Sequence, residues 1–129
     1  DENREATLVF TYPPSFGGVI DALMLRQNSR YYFEAITNSS FLRANATDLY
    51  KVIDSNPQIA KVIQTGLSSV ASGLLERLVE LQCYSSEAKF KKLLTRSPHI
   101  LQIVPQKYLA NYLGIDPTNF SKLINKVKI

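Results

Sequence analysis

The stretch VPQKYLANYLGIDPTNFSKLINK, Val104–Lys126, governs how the C-terminal third of the chain folds. Tyr108, Leu109, Tyr112 and Leu113 recur at i, i+1, i+4 and i+5, which predicts a helix over Pro105–Leu113 with one buried face. Gly114 follows, and glycine takes the left-handed conformation that ends a helix at little steric cost. Ile115 is an apolar plug for the turn. Asp116 is a strong N-cap residue, and Pro117 suits the first helical position. A last helix, Pro117–Ile129, then buries Phe120, Leu123, Ile124 and Val127. Its opposite face shows Thr118, Asn119, Ser121, Lys122, Asn125 and Lys126.

Two short helices across a glycine turn, the second with a polar and basic face, make a helix-turn-helix pattern. That arrangement lays the second helix in a major groove of double-stranded DNA. Asn pairs well with adenine and Lys with guanine, so the exposed residues of the last helix suit base edges. Lysines outside it, Lys107 among them, suit phosphates. Ordinary helical hairpins share parts of this pattern. The charge distribution adds weight: residues 84–129 carry 8 Lys and Arg against 2 acids, whereas residues 1–83 carry 7 basic and 9 acidic residues. A basic third on a near-neutral body points to a polyanionic partner, although a solvated lysine face has the same composition.

Upstream, PQIAKVIQTGLSSVASGLLERLVELQCY reads as one long helix beginning at Pro57. Ile63, Leu67, Val70, Leu74, Leu78 and Leu81 form a narrow apolar seam at coiled-coil spacing. Gly66, Ala71 and Gly73 allow a second helix to approach closely. Each glycine costs about 1 kcal/mol against alanine inside a helix, so packing must offset it. A homodimer through residues 57–82 is the expectation; packing on the chain's own domain is the other reading. SSEAKFKKLLTRSP then forms a further helix, capped by Ser85 or Ser86 and ended by Pro98.

The first third reads differently. ATLVFTY (Ala6–Tyr12), RYYFEAIT (Arg30–Thr37) and SSFLRAN (Ser39–Asn45) are rich in β-branched and aromatic residues and are expected to be strands of an antiparallel sheet. VIDALMLRQ (Val19–Gln27) is expected to be a short helix, and a helix capped by Thr47 begins near Asn45. The expected class is therefore α+β.

Other functions find little footing. The single cysteine, Cys83, excludes a disulfide framework and makes a thiolate metal site very poor; it is expected to be a buried small hydrophobe in a reducing compartment. His99 is the sole histidine and sits in a connector. Asp21, Asp48, Asp54 and Glu76 lack paired-carboxylate or metal spacing. No enzyme, metal or cofactor is expected. No apolar run approaches the roughly 18 residues of a membrane span, so no membrane partner is expected either. The opening DENRE, without an initiator Met, suggests that a preceding part of a longer protein is missing.

With these residues in view, the chain resembles the Crp/Fnr family of bacterial transcription regulators along nearly its whole length. YLANYLGIDPTNFSKLINKV is similar to that family's helix-turn-helix, and KFKKLLTRSPHILQIVPQKYLANYLGI to variants common in Bacteroidetes-type bacteria. SFGGVIDALMLRQNSRYYFEAI resembles the effector loop of a cyclic-nucleotide-binding-like β-roll. The resemblance implies three parts: the second half of a β-roll sensor with its following helix over 1–56, a dimerisation helix over 57–83, and a DNA-binding domain over 84–129. It also implies a cytoplasmic homodimer, RNA polymerase as a further partner, and a small-molecule effector near Gly17, Gly18, Arg30 and Tyr31. Gly18 stands where nucleotide-binding members have the ribose-holding Glu, and Tyr31 where they have a small hydroxyl residue, so cyclic AMP is not the expected effector. In the last helix, Thr118 and Lys122 replace the family's Glu and Arg, which implies a different operator. The competing reading is a protein-interaction module that keeps the same fold without binding DNA.

Overall fold

The computed structural model describes residues 5–127. Seven helices follow in order: α1 Ile20–Leu25, α2 Ala46–Ser55, α3 Pro57–Cys83, α4 Ser86–Arg96, α5 Ile100–Ile103, α6 Gln106–Leu113 and α7 Pro117–Lys126. No strand occurs among the described residues, so the α+β expectation is overturned. Among the described residues the partial antiparallel β-roll, and with it the cyclic-nucleotide-binding-like domain expected over 1–56, is not formed.

The reason lies in the backbone. A strand needs a neighbour to complete its ladder of N–H and C=O groups. Among the described residues, no backbone–backbone hydrogen bond joins residues 28–44 to any other segment. Side chains satisfy part of that backbone locally. The Ser29 hydroxyl donates to the Tyr31 carbonyl (2.7 Å) and accepts from the Tyr31 N–H (2.9 Å), while the Ser39 hydroxyl donates to the Thr37 carbonyl (2.9 Å). The β-forming side chains are left outside, Tyr32 and Leu42 almost fully. Ala6–Tyr12 likewise pairs with a side chain: the Thr7 N–H donates to Asn111 Oδ1, and Asn111 Nδ2 donates to the Glu5 carbonyl (2.7 Å).

The chain divides into two units, residues 15–75 and residues 1–14 with 76–129. In the first, α2 is capped by Asn45, not by Thr47: Asn45 Oδ1 accepts from the Thr47 N–H at 2.9 Å. Asn56 Oδ1 accepts from the N–H groups of Gln58 and Ile59 (3.1 and 3.2 Å) and so starts α3, with Pro57 in its first turn. No residue from 15 to 75 is buried.

The second unit holds the core. Phe90 and Leu93 of α4, Ile100 of α5, Val104, Leu109, Ala110 and Leu113 of α6, Ile115, and Phe120 and Leu123 of α7 are all buried. The Phe90 and Phe120 rings meet edge to face, centroids 5.4 Å apart. α6 packs against both α4 and α7. Ser85, not Ser86, caps α4 by accepting from the Ala88 N–H (3.2 Å). Cys83 is exposed, against expectation, because the buried stripe at the end of α3 is the one carrying Arg77 and Glu80. Among the described residues no helix is long and apolar enough to cross a membrane.

Candidate nucleic-acid interface

The turn between α6 and α7 is built as its sequence dictates. Gly114 takes φ 61° and ψ 38°. Its N–H donates to the Asn111 carbonyl (3.0 Å), and the Ile115 N–H reaches back to Ala110 (2.9 Å). This pair of bonds is the Schellman closure, and buried Ile115 packs where that closure needs an apolar residue. Asp116 Oδ1 accepts from the N–H groups of Thr118 (2.9 Å) and Asn119 (3.2 Å), so α7 begins at Pro117, directly after the short turn that follows Leu113.

At 3.6 residues per turn, burying Phe120 and Leu123 turns the opposite side of α7 outward. Thr118, Asn119, Ser121, Lys122, Asn125 and Lys126 are all exposed there. Thr118, Ser121, Lys122 and Asn125 follow along that face, with Ser121 and Lys122 three and four residues after Thr118 and Asn125 three or four after them. Lys107 is exposed on α6, its ammonium 4.6 Å above the Tyr108 ring. Among the described residues neither Lys107 nor Lys122 has a carboxylate partner. Lys126 differs: it pairs with Glu87 of α4 at 3.1 Å, which also holds Lys91 at 2.8 Å. Hydrogen bonds from those two lysines hold the Glu87 carboxyl below its ordinary range.

A cluster that sequence reading missed lies at the root of this unit. Glu80 of α3 is only 2% exposed. It pairs with Arg96 and with Lys92 (2.9 Å) of α4, and with Arg77 one turn away (3.5 Å). Burial pushes the Glu80 carboxyl up, but hydrogen bonds from Arg96 and Lys92, with their charges, outweigh it and bring the group down to about 2. Arg77 also donates to the Tyr112 carbonyl, in the last turn of α6, and stacks over the Tyr112 ring at 3.8 Å. That carbonyl has no partner inside its own helix, and a cation suits the negative end of the helix dipole. The Tyr112 ring also meets Phe10, centroids 5.0 Å apart. The sequence held one clue: Arg77 and Glu80 interrupt an apolar helix on a single face.

The seam of α3 is open. Ile63 and Leu67 are half-buried, and Val70, Leu74, Leu78 and Leu81 are exposed, Leu74 and Leu78 by about half. A Cβ added at Gly66 or Gly73 would meet nothing within 4 Å. Leu81 turns inward enough to lie 3.6 Å from a Cβ built on Gly114.

The expected effector residues form no site. Gly17, Gly18, Arg30 and Tyr31 are exposed, and a Cβ at Gly17 would press on the Phe33 ring at 2.9 Å. A shallow cavity of about 580 Å³ lies instead between α1 and α2, lined by Ala22, Leu23, Arg26 and Tyr50 among others, and holds none of the four. Its arginine, Arg26, stacks on Tyr50 at 4.3 Å and pairs with Asp54 at 3.6 Å. No His, Cys, Asp and Glu cluster fit for a metal occurs among the described residues.

No protein-family model, curated protein or solved structure matches the chain significantly.

Proposed function

We propose that the chain is a DNA-binding transcriptional regulator that acts as a homodimer, with α7 as the helix that enters the major groove. The observation that carries the reading is the division of α7. Phe120 and Leu123 anchor it, Asp116 caps it after the Gly114 turn, and Thr118, Ser121, Lys122 and Asn125 stand outward in one polar, basic face. The helix-turn-helix half of the Crp/Fnr resemblance supports the reading; the sensor half falls with the β-roll. The open seam of α3 supports a second copy as the partner, since an exposed apolar row with small residues beside it suits a matching helix. A regulator of this kind works in the cytoplasm beside RNA polymerase, and any effector is a separate matter.

The test is selection of binding sites from random duplexes, followed by titration across a salt series. In a dimer the two α7 helices read half-sites about one helical turn, ~34 Å, apart. Lys122→Ala is expected to cost about 1–3 kcal/mol at one base position and to relax preference there. Lys107→Ala is expected to weaken all sequences alike and flatten the salt slope by roughly one charge. Leu74→Lys with Leu78→Lys should sediment as a monomer that binds half-sites only, because lysines in the seam lack partners. Failure of the unmodified protein to select any duplex refutes the reading in favour of a protein-interaction module.

A further inference from the structure

The three cations around Glu80 invite a simple assignment to phosphate, since Lys92 and Arg96 belong to the basic third. The geometry points elsewhere. The carboxylate is almost wholly buried, and both α4 cations converge on one of its oxygens. Arg77, one turn away on α3, takes the other oxygen and reaches Tyr112 of α6 through both carbonyl and ring. Two neighbouring residues of the seam helix thus grip the two helices that carry α7. Apolar packing between α3 and these helices is slight by comparison: no apolar residue of α3 is buried, and Leu81 supplies its approach to Gly114.

We infer that Glu80, with Arg77, is the positioning residue that fixes the DNA-reading head on the seam helix and thereby sets the spacing of the half-sites the dimer accepts. An apolar contact is non-directional and tolerates sliding. A buried carboxylate shared by charged hydrogen-bond donors from two helices has one good geometry, and moving it leaves charges unpaired. The lock acts through orientation. Glu80 touches no DNA, and Lys92 and Arg96 are spent on Glu80 and not on phosphate. The spacing consequence rests on the DNA-binding reading above; the lock itself does not.

Two readouts separate them. The first uses spin labels on the native exposed Cys83 at the end of α3 and on a cysteine introduced by Ser121→Cys in α7, both in one protomer of a dimer. The unmodified lock gives one narrow distance distribution, and Glu80→Gln broadens it. The second compares duplexes whose half-sites are separated by the selected spacing or by about half a helical turn more, ~5 base pairs. The unmodified protein is expected to prefer the selected spacing by about tenfold or more, the scale of an ordinary coupling. Glu80→Gln should erase most of that preference while binding to an isolated half-site stays unchanged, a split that general destabilisation does not produce. Arg96→Gln, which removes one partner at the solvent edge and leaves Lys92 on Glu80, is the second variant and should broaden and flatten to a lesser degree. It decides the matter if Glu80→Gln fails to fold. A narrow distribution in the folded variants overturns the lock. A broadened distribution with the spacing preference intact overturns its role in spacing. A broadened distribution in a protein that selects no duplex upholds the lock and refutes the DNA-binding reading.

Discussion

Residues 15–75 and the unit that contains α4 to α7 are similar in apolar content and opposite in what they do with it. The C-terminal unit buries ten apolar side chains around the Phe90–Phe120 contact. The other buries none and leaves Phe16, Tyr32 and Leu42 almost wholly in water. The difference traces to how each was to be assembled. The C-terminal helices are started and stopped by local chemistry, namely Ser85, Gly114 and Asp116, and their apolar stripes then meet within a short stretch of chain. The strand-like segments of residues 30–45 depend on neighbours to complete a ladder, and no such neighbour lies among the described residues. The open seam of α3 and this unit share a large exposed apolar surface, which is where the proposed pairing with a second copy would act.

The sharpest way to break the comparison is to make one chemical change in both places. Phe120→Ala removes a ring that is 1% exposed and locked against Phe90, and is expected to cost about 3–5 kcal/mol of unfolding free energy. Phe16→Ala removes a ring that is 97% exposed and should change stability by less than about 0.5 kcal/mol. Urea denaturation of both variants measures the contrast. Equal losses would mean that residues 15–75 pack in solution against something, such as the second copy.

A smaller effect separates the units by acid. The Glu80 carboxyl titrates near 4.5 when unfolded and about 2 when folded, so its pairs stabilise the C-terminal unit fully above about pH 4.5 and lose that contribution as pH falls toward 2. The shift corresponds to on the order of 2–3 kcal/mol once the solvent screening of the half-exposed Arg96 and Lys92 is allowed for. Melting curves between pH 5 and 2 should fall steeply for the unmodified protein and more shallowly for Glu80→Gln, which starts less stable. Parallel curves would show that the cluster contributes no linkage. Glu87 also titrates low, but it is a solvated group and adds little.

What the sequence revealed follows the same division. The Gly114 closure, the Asp116 cap, the start of α7 and the outward face of Thr118 to Lys126 could all be read, because each depends on residues within one or two turns. The end of α7 was expected at Ile129, whereas the helix stops at Lys126 and residues 128–129 lie outside the described residues. The strands could not, because β-forming residues such as Tyr32 and Phe33 state a preference and not a partner. The Glu80 cluster escaped for a related reason: it joins residues 16 apart in sequence from different helices, and the one local clue, that Arg77 and Glu80 share a face of an apolar helix, names no partner on α4. The sequence places Lys126 on the outward face of the last helix and Lys92 in the basic third, yet folding gives each a carboxylate, Glu87 and Glu80 respectively.

The mildest contrast concerns two caps of the same chemistry. Asn45 caps α2 and Asp116 caps α7, each accepting an N–H bond at 2.9 Å, and removal of either by Ala should cost about 1 kcal/mol of helix stability. The consequence should differ, because α7 is fastened into the core by Phe120 and Leu123 whereas α2 has no buried residue. Fraying α7 pulls on the whole C-terminal unit, so Asp116→Ala should lower the global unfolding free energy by nearly the full amount. Asn45→Ala should open only its own helix. Amide hydrogen exchange distinguishes the two. Asp116→Ala is expected to speed exchange about fivefold throughout α4, α6 and α7 alike, the factor that 1 kcal/mol implies. In Asn45→Ala the same factor should appear in residues 46–55 and nowhere else. If Asn45→Ala accelerated exchange in α4 as well, α2 would belong to the cooperative core, and the contrast between the two units would fail.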